Sequence, residues 1–303
     1  MRQPKIGVVG LGGIAQKAYL PILTNSTSFE LVGAYSPTVT KREAICRAHR
    51  IASFTGLPEL AASVDAAFVH SSTETHFDIV SYLLENGVDV YVDKPLAATI
   101  EQAEQLVETA ERTGRKLMVG FNRRFAPMYQ QVKQEGLFHT LDFVKHRGDG
   151  LRGHDYQFTL LDDYLHVVDT LRFLAGSELR LVTGHIETTE TNGLHFARHV
   201  WQDEHGLHTT SMHRKAGTNH EGLSAIRNGL RLTVDEMVTL HRFEQGTHST
   251  KTFGSWDTLL TQRGFQGAID HFISAVTDDT PIVTDGREAL ITQQMVTELF
   301  RSR

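Results

Sequence analysis

The combination in this 303-residue chain best suited to moving a proton is an imidazole between two carboxylates. The stretch LLDDYLHVVDTLRFLAG, residues 160–176, reads as a helix that is apolar on nearly every face, and such helices are buried. Asp162, His166 and Asp169 interrupt it at i, i+4 and i+7, which places them on one face. Three chemistries fit: a structural hydrogen-bonded pair, a metal site and an acid–base site. A catalytic metal site needs three protein ligands and an open position. Asp162 and His166 supply two and the sequence indicates no third, so no metal is assigned. Proton exchange is favoured because histidine titrates near neutral pH. Asp162 or Asp169 would then stabilise the imidazolium and set its tautomer.

The second group is backbone. The run GVVGLGGIA carries Gly10-x-Gly12-x-x-Ala15 between an apolar run and a helical segment, the context in which such a turn binds a dinucleotide. Gly10 allows the tight turn, and Gly12 lets the backbone approach a pyrophosphate. Ala15 lets the helix pack close to the sheet, while Gly13, Ile14 and Ala15 present N–H groups at the helix start. At the end of the second strand, in AYSPTVTKRE, none of Tyr35, Ser36, Pro37 and Thr38 is an acid that could hold a ribose 2′-hydroxyl. Ser36 and Thr38 can donate to a 2′-phosphate, and Lys41 or Arg42 can neutralise it, so the cofactor is NADP or NAD, with the balance toward NADP.

These groups need a frame. Residues 1–121 alternate strands and helices, with apolar runs at 5–10, 30–36, 65–71, 88–95 and 116–121. That pattern implies a doubly wound parallel sheet covered on both faces, an α/β unit. Thr99, with Gln102 at capping-box spacing, starts one helix, and Gly114 ends it. Residues 122–303 read as an α+β unit: a long strand at 139–147, the buried helix, a mostly strand region over 178–253 with the runs LRLVTGHIETTE, LHFARHVWQ, LHTTSMHRK, LRLTVDEM and VTLHRFE, then two helical segments from 258. Alternation in HTTSMHR suggests an open, mostly antiparallel sheet with one wetter face. The last helix, 285–303, is a candidate to pack back on the first unit.

Net charge is −6, which excludes the basic footprint of a nucleic-acid binder. One cysteine excludes an intrachain disulfide framework and a cysteine-based zinc site. No run of 18 apolar residues and no signal-peptide layout is present, so a soluble cytoplasmic protein with no membrane association is expected.

The glycine turn, VDKPL at 92–96, GFNRRF at 120–125, LLDDYLH at 160–166 and the C-terminal FQGAIDHFISAV together resemble the Gfo/Idh/MocA family of sugar and polyol dehydrogenases. The resemblance spans the whole chain. It implies an N-terminal Rossmann domain followed by a domain with an open, mostly antiparallel sheet. It makes Lys94 an active-site lysine contacting substrate and nicotinamide, and it makes Asp162 and His166 the family's Asp-x-x-x-His pair. Asp93 stands where the family usually has Glu, and the Gly-Gly segment before the pair is replaced by YQFTLLDD. Tyr156 and Phe158 could therefore line the substrate space.

By the same resemblance, Ser71 and Thr73 contact the cofactor, as does His76 unless it only caps the helix near Thr75. Asn122 and Arg123 follow the sixth strand and can face the active-site mouth, Asn122 toward cofactor and Arg123 toward substrate; Arg124 can equally form an interdomain salt bridge. Lys145, His146, Arg147, Arg152 and His154 could hold a carboxylate or phosphate, or form a solvated loop.

The leading reading is an NAD(P)-dependent oxidoreductase acting on a secondary hydroxyl or ketone of a sugar, sugar derivative or cyclic polyol. The alternative is a non-catalytic dinucleotide-binding sensor, which would not need Lys94, Asp162 and His166 together. A homodimer or dimer of dimers is expected through the uncovered sheet face, with Val200, Trp201, Met212 and Val234 as candidates for the contact.

Overall fold

The computed structural model describes residues 3–151, 153–176 and 178–302, and the chain divides into two compact units. The first comprises residues 1–121 and 265–291, the second 122–264 and 292–303.

In the first unit six parallel strands, β1 (Lys5–Val9), β2 (Glu30–Tyr35), β3 (Ala52–Ser53), β4 (Ala66–Val69), β5 (Asp89–Val92) and β6 (Leu117–Val119), lie in the order β3-β2-β1-β4-β5-β6. The order reverses between β1 and β4, which opens a crevice at their carboxyl ends. β4 and β5 are buried at every position, as a sheet covered on both faces requires. The connecting helices are α1 (Leu20–Leu23), α2 (Val39–His49), α3 (Leu57–Ala61), α4 (His76–Glu85) and α5 (Ile100–Thr113). Thr99 caps α5 by accepting from the Gln102 N–H, and Gly114 closes it at φ +64°.

The second unit is built on eight strands: β7 (Thr140–His146), β8 (Arg180–Thr188), β9 (Leu194–Gln202), β10 (Leu207–His213), β11 (His220–Arg227), β12 (Leu230–Asp235), β13 (Thr239–Glu244) and β14 (Thr247–Lys251). Their order is β14-β13-β12-β11-β7-β10-β9-β8, and only the β7–β10 pair is parallel. The helices are α6 (Pro127–Gln134), α7 (Tyr156–Thr159), α8 (Leu165–Ala175) and α9 (Leu259–Gln262). α8 crosses β7 and β10, and α6 reaches β12.

The expected division at residue 121 changes in one respect. α10 (Phe265–Asp278) belongs to the first unit, not to a continuous 122–303 unit. Its aromatics explain why. Phe265 meets Tyr19 edge-on, and Phe272 meets both Phe68 and Tyr91 edge-on. The segment then adds to the β6 edge, where the Val119 N–H donates to the Thr284 carbonyl and Thr284 Oγ1 donates back to the Val119 carbonyl. The final helix, α11 (Gly286–Glu298), is divided at 291/292, so its second half is counted with the second unit.

The outer face of the eight-stranded sheet also differs from expectation. Trp201, Met212 and Val234 are buried within the chain, leaving only Val200 of the four on the wetter side. Thr209, Ser211 and His213 pair there with Val200, Arg198 and Phe196. Trp201, Met212 and Val234 are therefore not exposed for a contact, whereas Leu207 and Ile226 are 51% and 40% exposed. No helix among the described residues is long and apolar enough to cross a membrane.

Candidate functional site

The glycine turn leaves β1 at the β1/β4 switch point. Gly10 has φ +88°, and a Cβ there would lie 2.6 Å from the His70 carbonyl carbon and the Ser71 nitrogen, so no other residue fits. A Cβ on Gly12 would meet only the His70 carbonyl at 3.9 Å, and one on Gly13 nothing within 4 Å. The backbone at these two glycines therefore borders open space that an approaching phosphate can use. Gln16 Nε2 donates to the Leu11 and Gly12 carbonyls and braces the turn. Ile14 is exposed and Ala15 is buried against the sheet. Residues Ala15–Tyr19 form a π-helical turn before α1.

Around this turn, Thr38 and Lys41 are exposed and Ser36 is buried at the end of β2. Arg42 is not available to a 2′-phosphate in the way expected. It is 5% exposed, its Nη1 donates to the Ser36 carbonyl at 2.8 Å and its Nε to Ser53 Oγ at 3.0 Å. The guanidinium ties the loop after β2 to β3.

Ser71 and Thr73 follow β4. Ser71 Oγ is buried and makes no hydrogen bond within the described chain. A buried hydroxyl without a partner calls for a ligand or a water. With the open backbone at Gly12 and Gly13, this fits a nicotinamide dinucleotide on the first unit. His76 is 1% exposed, and its ring nitrogens contact the carbonyls of Pro95 at 2.9 Å and Ser71 at 3.2 Å. It therefore links the loop after β4 to the turn after β5. Lys94 lies in that second turn, half-buried, its backbone N–H on Asp93 Oδ1 at 2.8 Å. The Asp for Glu departure is thus used locally, to fasten the amide of the lysine itself.

Beneath the turn, Tyr19 and Tyr91 share a hydroxyl contact of 3.1 Å, and the His70 ring lies 3.8 Å from the Tyr19 ring. Both His70 nitrogens are buried without a partner, and burial pushes its imidazole down to about 3.

In the second unit the Asp-x-x-x-His pair does not sit on one regular helix. Leu160–Tyr164 is a π-helical turn that leads into α8. A π turn carries an extra residue, so the i, i+4, i+7 face read from an ideal helix is broken before His166. π turns concentrate at functional sites. The two π-helical segments among the described residues fall at the glycine turn and at this pair. Asp162 is exposed and His166 half-buried.

Asp169 is excluded as the orienting carboxylate. It is 1% exposed and bound by Arg124, whose Nε reaches both oxygens at 3.1 and 3.0 Å and whose Nη2 reaches Oδ1 at 2.7 Å; Thr292 Oγ1 adds a third donor. Arg124 and Asp169 both belong to the second unit.

Asn122 and Arg123 are likewise committed within the chain. Asn122 Nδ2 donates to the Arg263 carbonyl at 2.7 Å, and Arg123 closes on Glu221 through two bonds of 2.7 Å. These bonds engage the Asn122 amide nitrogen and the Arg123 guanidinium. Tyr156 packs edge-on against Phe300 and is 8% exposed, so it presents little surface to a substrate. Phe158 is 39% exposed and stacks on His154.

Asp163, which sequence reasoning passed over beside Asp162, is the hub of the polar end of this unit. It receives Lys145, Arg147 and Arg214. Those cations hold its carboxyl far below the usual carboxylate range, against the desolvation that would raise it. Arg152 of the basic loop lies outside the described residues.

Comparison with known proteins agrees with the fold. Residues 4–121 match the oxidoreductase family with an NAD-binding Rossmann fold, and residues 127–245 match the YceM-like C-terminal domain. A Salmonella typhimurium protein named "Putative oxidoreductase YceM" is 46% identical over 302 residues, 99% of this chain and 98% of its own. The scyllo-inositol 2-dehydrogenase (NAD(+)) of Bacillus subtilis is 26% identical over 204 residues, 60% of this chain and 57% of its own. The crystal structure of the dehydrogenase MviM from Clostridium difficile superposes with a TM-score of 0.97 at 39% identity, each chain covered in full. With a dinucleotide turn at the strand-order reversal, a lysine closing β5 and an Asp-x-x-x-His pair entering α8, the chain belongs to the Gfo/Idh/MocA family of oxidoreductases.

Proposed function

We propose that this protein transfers a hydride between a nicotinamide cofactor and a secondary hydroxyl or ketone of a sugar, sugar derivative or cyclic polyol. The observation that carries the reading is the open backbone at Gly12 and Gly13 beside β4, in the same unit as Lys94 at the carboxyl end of β5. Bound NAD(P) would supply the hydride acceptor or donor. Lys94 then polarises the reacting oxygen with its ammonium. His166 accepts the hydroxyl proton in the oxidising direction and returns it in the other. Asp162 is the carboxylate left to steady the imidazolium, since Asp169 is held by Arg124. Ser71 offers its unsatisfied hydroxyl to the cofactor. Ser36, Thr38 and Lys41, with no acid at the end of β2, support NADP over NAD. The inositol dehydrogenase among the relatives supports a polyol or sugar substrate.

The test is a panel of inositols, aldoses and sugar derivatives assayed with NAD⁺ and NADP⁺ by absorbance of the reduced cofactor, after thermal shifts have ranked the cofactors. Turnover lost in Lys94→Met with cofactor affinity kept is the expected result. Cofactor binding with no turnover on any panel member, and identical cofactor affinity in Lys94→Met, favours the sensor reading instead.

A further inference from the structure

The covered face of the eight-stranded sheet ends in charge. Lys145 of β7 stands opposite Glu221 of β11 in the sheet register. Glu221 is already satisfied: Arg123 takes both oxygens, and the Tyr129 hydroxyl donates to one of them at 3.2 Å. Asp163 is left to serve three cations, Lys145 Nζ at 2.5 Å, Arg147 at 2.9 and 3.0 Å, and Arg214 Nη1 at 2.5 Å. Glu236 reaches the edge of the group, but its Oε1 takes the Glu221 N–H and faces His220. In this network, among the described residues, four cations are therefore joined to two carboxylates.

Buried charge persists when it is compensated. Here the side chains of Lys145, Arg123 and Arg214 are all less than 10% exposed, and two positive charges have no acidic partner of their own. Burial, followed by the neighbouring Arg123, brings Lys145 down to about 8, although Asp163 and Glu221 oppose the shift. Arg147 is the open member, with 36% of its side chain exposed. The loop beside it is drawn in tightly. Arg214 donates through Nε and Nη2 to the Gly150 carbonyl, and a Cβ on Gly150 would lie 2.9 Å from both Arg147 Cβ and Arg214 Nε. The hub, Asp163, is the residue next to Asp162 and lies three before His166.

We propose that the substrate carries an anionic group, a phosphate ester or a carboxylate, and that Arg147, backed by Lys145 and Arg214, receives it. The assignment rests on the reading of Asp162 and His166 as the reacting end; the anion is the charge this end of the unit lacks. It narrows the substrate class from neutral polyols to sugar phosphates, uronic acids or nucleoside-diphosphate sugars.

The experiment uses the full chain with cofactor saturating, so that phosphate cannot act at the glycine turn. Inorganic phosphate is titrated against chloride at constant ionic strength while melting is followed. A saturable rise is expected, with an apparent affinity weakened about 10-fold or more in Arg147→Gln and cofactor affinity equal in the two proteins. Sugar phosphates, uronates and nucleoside-diphosphate sugars are then assayed beside their neutral parents, which separates the possible sources of the anion. One anionic class is expected to show the lower KM, and Arg147→Gln to raise that KM with little change in kcat. Lys145→Met removes a surplus cation, so its melting temperature is expected to hold or rise. A clear fall would show the network to be balanced as it stands and would overturn the proposal. Equal phosphate stabilisation in Arg147→Gln overturns it too, as does turnover of neutral substrates with no anionic preference; in the last case the dehydrogenase reading stands. Saturable, Arg147-dependent phosphate binding with no oxidation of any panel member would instead count against the dehydrogenase reading and leave the anion site standing.

Discussion

Replacing Asp169 by asparagine keeps its shape and removes its charge. Arg124 then retains a guanidinium that is 4% exposed and loses its ion pair with Asp169. Two charges about 4 Å apart interact by about 4 kcal/mol at an effective dielectric constant of about 20. Breaking one side of a buried pair costs roughly 3–5 kcal/mol, in agreement. For a domain of about 150–250 residues each kcal/mol moves the melting temperature by roughly 2–4 °C. Asp169→Asn should therefore melt about 6–20 °C below wild type by scanning calorimetry at neutral pH. Turnover per folded molecule should stay near wild type, because the oxygens of Asp169 are engaged by Arg124 and Thr292. A melting change under about 2 °C, together with a fall in kcat of about 100-fold or more, would refute the reasoning and return Asp169 to the proton-transfer site.

Gly12→Val places a branched side chain in the open backbone beside His70 and should abolish NAD(P) binding by calorimetry; unchanged affinity removes the cradle assignment. His166→Asn and Lys94→Met should each lower kcat by about 10²–10⁴-fold with melting and cofactor affinity kept, and a structural role for His166 would show instead as lost melting temperature with activity per folded molecule preserved. His70 is neutral in the fold down to about 3, whereas in the unfolded chain it takes a proton near pH 6.5. Its contribution is thus present above pH 6.5 and is lost as pH falls, by ~2 kcal/mol at pH 5. His70→Phe, which also removes two unpartnered nitrogens, should unfold in urea at the same or a higher midpoint at pH 7 and lose ~2 kcal/mol less by pH 5; an unchanged pH dependence rejects this account.

What could be read in advance depended on how local the cause is. The continuous apolar runs of β1, β4 and β5 signal burial on both sides, Gly10 and Gly114 act through their own backbone and Thr99 caps the backbone three residues on, so all were legible. β11 was missed because HEGLSAIR opens with polar residues and contains Gly222. β14 was missed because THSTK is an edge strand exposed at every position and carries no alternation. The candidate site was less legible than the fold. The residue types at Asp162, His166 and Lys94 stand out, but the choice of partner does not. Arg123 lies 98 residues from Glu221 and Arg124 lies 45 from Asp169, and nothing near any of the four announces the pairing. The π turn over 160–164 then rotates side chains that an ideal helix would align.

The return of α10 to the parallel sheet has a consequence for synthesis. Phe68 and Tyr91 are translated early, yet the ring that covers them is Phe272, and the strand edge at Val119 waits for Thr284. The emerging N-terminal unit thus exposes an aromatic surface while residues 122–264 of the second unit are being made. Exposed surface of this kind is what chaperones bind and what aggregates in truncated chains. Cutting after residue 121 or 264 should yield not a shorter nucleotide-binding domain but an open one. The dinucleotide turn, although complete by residue 20, acquires a finished core only when residues 265–291 have left the ribosome.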